Sequence, residues 1–444
     1  MLRGFRVGNY KSFLADQELH FGPVLPDSEF DPLTVVAIYG ANASGKSNFL
    51  EALRWASWIG TAGRSNRSRL GPGLRTPFKL DPEGLTAPSV AEFTLCIDRI
   101  EYQYGFAVDD ERIVEEWLYS YPSRRKRMLF EREEDVTRFG PSVDGHREIT
   151  KLMNQAREDR SVFGVLHSLK VPQLEPVRAW LAKFWALQPH DPIARRSSLP
   201  RRAFEGDPLL IELARKADLG IRDIEITERI VEPNEFELKE AESMEERLAE
   251  LERVADSDAD VDLEDEIERL QRSIRVRREP RVVREPVFLH NDSRIPLKLS
   301  EQSDGTIAFI TYMTRIVDLL DRGGVLVADE IEASVHPRLL ARIIELFRDP
   351  GVNHTGAQLV FTTHDTSLLG TSLGEPIMRR DEVWFVEKNE RGASELVPLS
   401  DFKPRKGENQ ERRYLGGAYG AVPDVDTGSL LEAFRKHRTE QRLW

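Results

Sequence analysis

Two hydrophobic rhythms run along the chain, and the places where one gives way to the other mark out its elements. The opening "MLRGFRVGNYKSFLADQELHFG" alternates in the manner of edge strands, and "LTVVAIYG", Leu33 to Gly40, is a short apolar run of the fully buried type. That run ends in glycine. The next segment, "SNFLEALRWASWI", sets Phe49, Leu50, Leu53, Trp55 and Ile59 at helical spacings, which predicts strand, glycine-rich loop, helix. Ser89 to Tyr121 reads as several alternating strands with turns at "DR" and "DDE", an antiparallel sheet beside the first unit. From about 148 to 220 the periodicity is mixed and helical, with Leu166, Leu169, Trp180, Leu181, Phe184 and Trp185 as candidate core.

Leu238, Ala241, Met244, Leu248, Leu251 and Val254 step by three or four, and after "DSDAD" the pattern resumes at Leu263, Ile267, Leu270 and Ile274. The spacing predicts two helices of about five turns folded back on each other, a short coiled-coil hairpin over about 238–276. The last third returns to strand and helix: "VFLH" (Val287 to His290), a helix carrying Ile307, Ile310, Met313, Ile316 and Leu319, strand "GVLVADE", a helix from Pro337 to Phe347, and strand "AQLVFTTH". The fold class is α/β with a mixed sheet. Three regions are expected: 1–147 with the antiparallel β subdomain, a helical insertion at 148–286 carrying the hairpin, and 287–444.

At 444 residues and 40% hydrophobic content the chain has ample core for one large domain with insertions or for two or three compact ones. No apolar run approaches the ~20 residues of a membrane span, and the N-terminus lacks a signal-peptide core, so the expectation is a cytoplasmic protein without membrane partners. The single Cys96 excludes an internal disulfide and a cysteine metal site, and is read as a small buried hydrophobe in a strand. A net charge of −13 argues against a surface coated for nucleic acid. Local basic stretches are "SRRKR" (Ser123 to Arg127), Arg195–Arg196, Arg201–Arg202 and "RVRREPRVVR" (Arg275 to Arg284), each read as a solvated face paired with glutamate.

The chemistry concentrates in three motifs. "GANASGKS", Gly40 to Ser47, fits the G-x-x-x-x-G-K-[ST] phosphate loop between an apolar strand and a helix. Its backbone N–H groups and the helix N-terminus face phosphates, Lys46 reaches the β and γ phosphates, and Ser47 binds Mg²⁺. "VLVADE", Val325 to Glu330, is a buried strand ending in two acids, Asp329 to hold Mg²⁺ through water and Glu330 to orient or deprotonate the attacking water. "LVFTTHD" places His364 at a third strand end, where it can contact the γ-phosphate. The aspartates 256, 258, 260 and 262 superficially resemble a calcium loop, but Val261 and Ile267 occupy the positions that need glycine and glutamate, leaving a solvated loop.

Together these motifs resemble the ABC-type ATPases of the SMC, RecF and OLD group, and more closely the stand-alone AAA-like ATPases of bacterial anti-phage systems. "FRVGNYKSF" is similar to the family's opening strand and turn, "GANASGKSNFLEAL" to its Walker A, "QSDGT" to its degenerate signature, "VLVADEIEASVHP" to Walker B and D-loop, and "FTTHDTSLL" to the switch histidine. "RRYLGGAYGAVPDV", Arg412 to Val425, resembles the ending of defence ATPases of the AbiL and RloA type. The resemblance implies ATP and Mg²⁺ as cofactors. It implies nucleotide binding by Gly40, Ala41, Asn42, Ala43, Ser44, Gly45, Lys46, Ser47 and Asn48, metal binding by Ser47 and Asp329, and catalysis by Glu330, Lys46 and His364. It further implies a homodimer or higher homo-oligomer with composite sites, in which Ser303, Asp304 and Gly305 close on the partner's nucleotide. "EQSDGT" departs from the usual LSGGQ, and the Q-loop glutamine has no clear place, Gln103 in "EYQYGF" being a bare candidate.

Two function classes stay open. The first is an ATPase sensor and scaffold of a phage-defence system that controls a separate nuclease or toxin, since only 80 residues follow His364, too few for a fused nuclease domain. The second is a RecF-like maintenance ATPase that clamps DNA, with Arg275, Arg277 and Arg278 as contacts. A transporter ATPase is disfavoured by the long spacing between Lys46 and Ser303. The R-x6-H spacing of Arg160 and His167 suits a ribonuclease toxin and is a cheap match, and Asp424 and Asp426 lack the partner glutamate of a two-metal site.

Overall fold

The computed structural model describes residues 1–22, 32–61, 74–154, 160–166, 169, 171–187, 207–217, 219–257, 264–291, 293, 295–333, 335–372, 374–403 and 407–421, with 428, 431, 432, 434, 435, 437 and 438. Two compact units emerge: Met1–Asp191 with Arg315–Trp444, and Pro192–Thr314. His167, the basic pairs at 195–196 and 201–202, residues 258–263 and Asp424 to Asp426 lie outside the described residues.

The larger unit holds two sheets. Strands β1 (Leu2–Gly8), β2 (Gln17–His20), β4 (Ser89–Ile97), β5 (Ile100–Val108), β6 (Ile113–Tyr121), β7 (Arg127–Glu133) and β8 (Val136–Phe139) form an antiparallel sheet in the order β2-β1-β4-β5-β6-β7-β8. The second sheet contains β3 (Val35–Tyr39), β9 (Phe184–Leu187), β13 (Val325–Ala328), β14 (Gln358–Thr362), β15 (Val383–Lys388) and β16 (Ser394–Pro398), in the order β16-β15-β3-β14-β13-β9. All its neighbours are parallel except β15 and β16. The helices include α1 (Lys46–Thr61), α2 (Glu235–Ser257), α3 (Glu264–Arg278), α4 (Asp304–Arg322), α5 (Pro337–Arg348) and α6 (Gln410–Leu415).

β3, β13 and β14 are buried at every residue, as a parallel sheet covered on both faces requires. α1 buries Phe49, Leu50, Leu53, Trp55 and Ile59 in a core that also takes in Phe5 and Phe93 of the antiparallel sheet. Phe49 meets Phe5 and Phe13 edge to face, each at 5.7 Å between ring centroids. Gln358 is fully buried; its amide accepts from Leu2 N–H at 2.5 Å and donates to the Leu2 and Leu33 carbonyls, both at 2.9 Å, so one side chain ties the two sheets.

The smaller unit contains an antiparallel ribbon, β10 (Ile221–Val231), β11 (Arg281–His290) and β12 (Leu297–Lys298), together with α2 and α3. Glu240 with Arg277 (3.0 Å), Glu245 with Arg278 (2.6 Å) and Glu252 with Gln271 (3.4 Å) link the two helices in antiparallel order. Ala241 is buried, and Leu238, Met244, Leu248, Leu251, Ile267, Leu270 and Ile274 are half-buried along the expected stripe. The arginines of "RVRREPRVVR" all have carboxylate partners: Arg275 with Glu279, Arg277 with Glu240, Arg278 with Glu245, Arg281 with Glu237 and Arg284 with Glu228.

Several readings change. β1 is not an edge strand: it pairs with β2 on one side and β4 on the other. Cys96 is only half-buried, because the two-residue period of β4 puts Phe93 and Leu95 inward and Thr94 and Cys96 outward. Phe184 and Trp185, grouped with helical core by periodicity, belong to β9, where pairing with β13 decides a run too short for pattern to assign. β11 begins at Arg281, six residues before the apolar "VFLH", because its first half is largely exposed. Replacing Phe49 by alanine should destabilise the larger unit by about 3–5 kcal/mol, seen as a lowered urea midpoint.

Candidate functional site

Parallel pairing sets the site. Ile38 of β3 lies opposite Thr362 of β14, and Ala328 of β13 opposite Phe361, so the carboxyl ends of the three strands emerge side by side. The chain leaving them carries the phosphate loop, the acids Asp329 and Glu330, and His364.

A Cβ on Gly40 would lie 2.5 Å from the Val386 carbonyl oxygen and 2.6 Å from Ser44 Oγ, so only glycine lets β3 turn into the loop against β15. Gly45 has φ +118°, and a Cβ there would run into the Ser394 and Ser12 hydroxyls. Those serines clasp the loop: Ser394 Oγ donates to the Ser44 carbonyl, and Asn48 Nδ2 donates to Ser12 Oγ at 2.8 Å. Ala43 is held at φ +61° and Glu330 at φ +44°, left-handed conformations that cost a non-glycine residue about 1–2 kcal/mol.

Lys46, the first residue of α1, is buried, and its Nζ donates to the Gly40 carbonyl (2.8 Å) and the Ala41 carbonyl (3.1 Å). Desolvation pushes its pKa down, against the opposing pull of Glu330, Asp329 and Glu332. Ser47 Oγ donates to Asp329 Oδ1 at 3.1 Å, and Thr362 Oγ1 donates to the same oxygen at 2.6 Å. Thr362 also accepts the Glu330 N–H at 2.7 Å, so one threonine fixes both acids at the end of β13. Glu332 Oε1 accepts the His364 N–H at 2.5 Å. The His364 ring is exposed, yet partial desolvation and then the Lys46 ammonium push its pKa below the ordinary imidazole value, leaving it neutral at pH 7.

Asn42, Ala43, Ser44, Gly45, Lys46, Ser47, Asn48, Glu330 and His364 line one cavity of about 350 Å³, with Lys388 at the end of β15 as a further cation. The donor set suits a polyphosphate: an ammonium, successive loop N–H groups at a helix start, and a buried Ser44 Oγ with no protein partner. The Ser47 and Asp329 oxygens suit Mg²⁺, which takes few protein ligands and completes its octahedron with phosphate and water oxygens. Among the described residues no group of three or more His, Cys, Asp or Glu side chains forms a metal cage.

Ser303, Asp304 and Gly305 belong to the smaller unit, and the cavity is lined without them. All three are exposed at the start of α4, where Ser303 Oγ accepts the Thr306 N–H at 3.1 Å. The preceding Gln302 is buried, with its Oε1 2.9 Å from His290 Nε2, which anchors the turn to the end of β11. Gln103 does not reach the loop: it sits within the unbroken strand β5 and accepts from the Tyr121 hydroxyl. Thr362, Glu332, Lys388, Ser12 and Ser394 escaped the sequence reading. The doubled threonine of "FTTH" and the third acid of "DEIE" were the available signals for the first two.

Residues 35–370 match the model of the family described as "AAA domain, putative AbiEii toxin, Type IV TA system". The chain belongs to this family. It is an AAA-like ATPase linked to abortive-infection and toxin–antitoxin systems. No curated protein sequence matches it, and among the described residues no helix is long and apolar enough to cross a membrane.

Because the His364 pKa is lowered, the folded chain holds that proton less tightly than the unfolded chain. The stability penalty therefore appears as pH falls through the ordinary imidazole range and is absent above it. Lys46→Ala should raise the His364 midpoint in an NMR titration; an unchanged midpoint would show that the ammonium does not act on the ring.

Proposed function

We propose that the chain is an ATP-hydrolysing head of the ABC type that serves as sensor and scaffold of an abortive-infection system and controls a separate nuclease or toxin in the cytoplasm. The observation that carries this reading is the convergence of the phosphate loop, Glu330 and His364 on one cavity, with Asp329 bonded to Ser47 beside it. In this reading the N–H groups from Gly40 to Asn48 and the Lys46 ammonium hold the triphosphate. Mg²⁺, when held by Ser47 and Asp329, neutralises phosphate charge. Glu330, held in the left-handed region just after β13 and lining the cavity, takes a proton from the attacking water. His364, neutral at pH 7, offers a ring nitrogen to the γ-phosphate.

Two lobes, 1–147 and 287–444, flank an insertion at 148–286 in this scheme, and α2 with α3 form a short coiled-coil hairpin for docking. Ser303, Asp304 and Gly305 act on the nucleotide of a second copy, which makes a homodimer the working unit. Their exposure at a helix start supports this, since such N–H groups favour an anion. For the alternative DNA clamp, the paired state of Arg275, Arg277 and Arg278 is unfavourable, because each contact would have to displace a glutamate. A toxic role for the chain itself has one support, the wording of its family's description.

Lys46→Ala should abolish nucleotide binding, whereas Glu330→Gln should keep binding, lose turnover by about 10²–10⁴ and accumulate as an ATP-bound dimer in light scattering. Normal turnover of Glu330→Gln would remove it as the base. Mixing two inactive chains, Lys46→Ala and Gly305→Glu, should restore about a quarter of the wild-type rate, because the mixed dimer keeps one intact composite site. If the chain arrests growth when expressed alone, the toxin reading displaces the sensor reading.

A further inference from the structure

The segment "RRYLGGAYGA", Arg412 to Ala421, takes no part in the chemistry above, yet it folds onto the point where β3 becomes the phosphate loop. Tyr414 of α6 is buried and meets Tyr39, the last residue of β3, edge to face at 5.6 Å. It stacks with Phe385 at 5.6 Å, and the fully buried Tyr419 stacks with the same ring at 5.0 Å. Phe385 is in turn the register partner of Tyr39 across β15 and β3. The Tyr414 hydroxyl donates to the Ala421 carbonyl at 3.2 Å, and burial pushes its pKa up against a smaller opposing pull from the Gly40 backbone.

A second arm of the same helix reaches the segment after His364. Glu411 Oε1 accepts from Thr366 Oγ1 at 3.2 Å, and Glu411 packs so closely on Gly370 that a Cβ there would overlap its carboxylate. The Tyr39 hydroxyl closes the triangle by donating to the Asp365 carbonyl at 3.1 Å. Gly40 follows Tyr39 directly, so the ring contact of Tyr414 bears on it from one side while its carbonyl accepts from Lys46 Nζ at 2.8 Å on the other.

We infer that Tyr414 and Glu411 are positioning residues, through which the C-terminal segment sets the phosphate loop at Gly40 and the His364 segment in one shared geometry. Gly40 is one of the two glycines of the loop, and a ring locked in an aromatic stack against Tyr39 and Phe385 restricts the strand end that leads into it. The inference rests on the ATPase reading, since it assigns these residues to the same nucleotide site.

The test uses the full chain, a fluorescent ATP analogue for affinity and phosphate release for turnover. Tyr414→Phe keeps the ring and removes the hydroxyl; nucleotide affinity should fall about tenfold. Thr366→Val keeps the shape and removes the bond to Glu411; turnover should fall about threefold or more while affinity holds. Tyr121→Phe, which loses a hydroxyl bond within the antiparallel sheet, is the control and should bind as wild type. Wild-type affinity in Tyr414→Phe, or an equal loss in Tyr121→Phe, overturns the role of the tyrosine. Unchanged turnover in Thr366→Val overturns the second arm. A wild-type chain that binds no nucleotide overturns the ATPase reading and this inference with it, whereas a wild type that binds beside an unaffected Tyr414→Phe overturns the inference alone.

Discussion

The site depends on the parallel pairing of β3, β14 and β13. Parallel strands share a direction, so the residues following Tyr39, Ala328 and Thr362 leave the sheet on the same side. A one-residue slip of β14 against β13 would carry Thr362 away from Asp329 and break the 2.6 Å bond that orients the carboxylate. All three strands are buried at every residue and mostly apolar, so the sheet fixes this register by packing on both faces. The functional groups need no arrangement of their own beyond a short reach from strands already held.

The elements that were legible are those whose chemistry and pattern coincide. "LTVVAIYG" carries four aliphatic residues in a row after Thr34, "GANASGKS" has glycines where close approach demands them, and "VLVADE" turns from apolar to acidic at a strand end. The structure places each accordingly. Thr362 and Glu332 were not legible, because a hydroxyl or carboxylate that orients a neighbour has no periodic signature; its use is decided by register with β13 and by the turn at His364. β9 was misread because four apolar residues carry no period of their own, and only β13 beside them makes them a strand. Cys96 went wrong by one position in a two-residue repeat.

The two units treat charge in opposite ways. In the smaller one, arginines and glutamates on α2, α3, β10 and β11 pair at the surface, where each pair contributes little and mainly leaves the face neutral. Around the candidate cavity the charges are fewer and drier: Lys46 is buried, with three carboxylates near enough to act on its pKa. Desolvation makes such a group costly until an anion meets it, which is the condition under which a phosphate is held firmly.

β3 has a consequence for how the protein is made. Its hydrogen-bonding neighbours are β14 and β15, whose paired residues begin at Leu359 and Val383, while its own begin at Val35. A ribosome adding about 5–20 residues per second takes on the order of 15 seconds or more to reach them. Throughout that time this fully buried, largely aliphatic strand has both edges unpaired. Nascent chains of this protein are therefore exposed to strand-mediated aggregation late in synthesis, and truncation before Gln358 yields a phosphate loop without the sheet that shapes it.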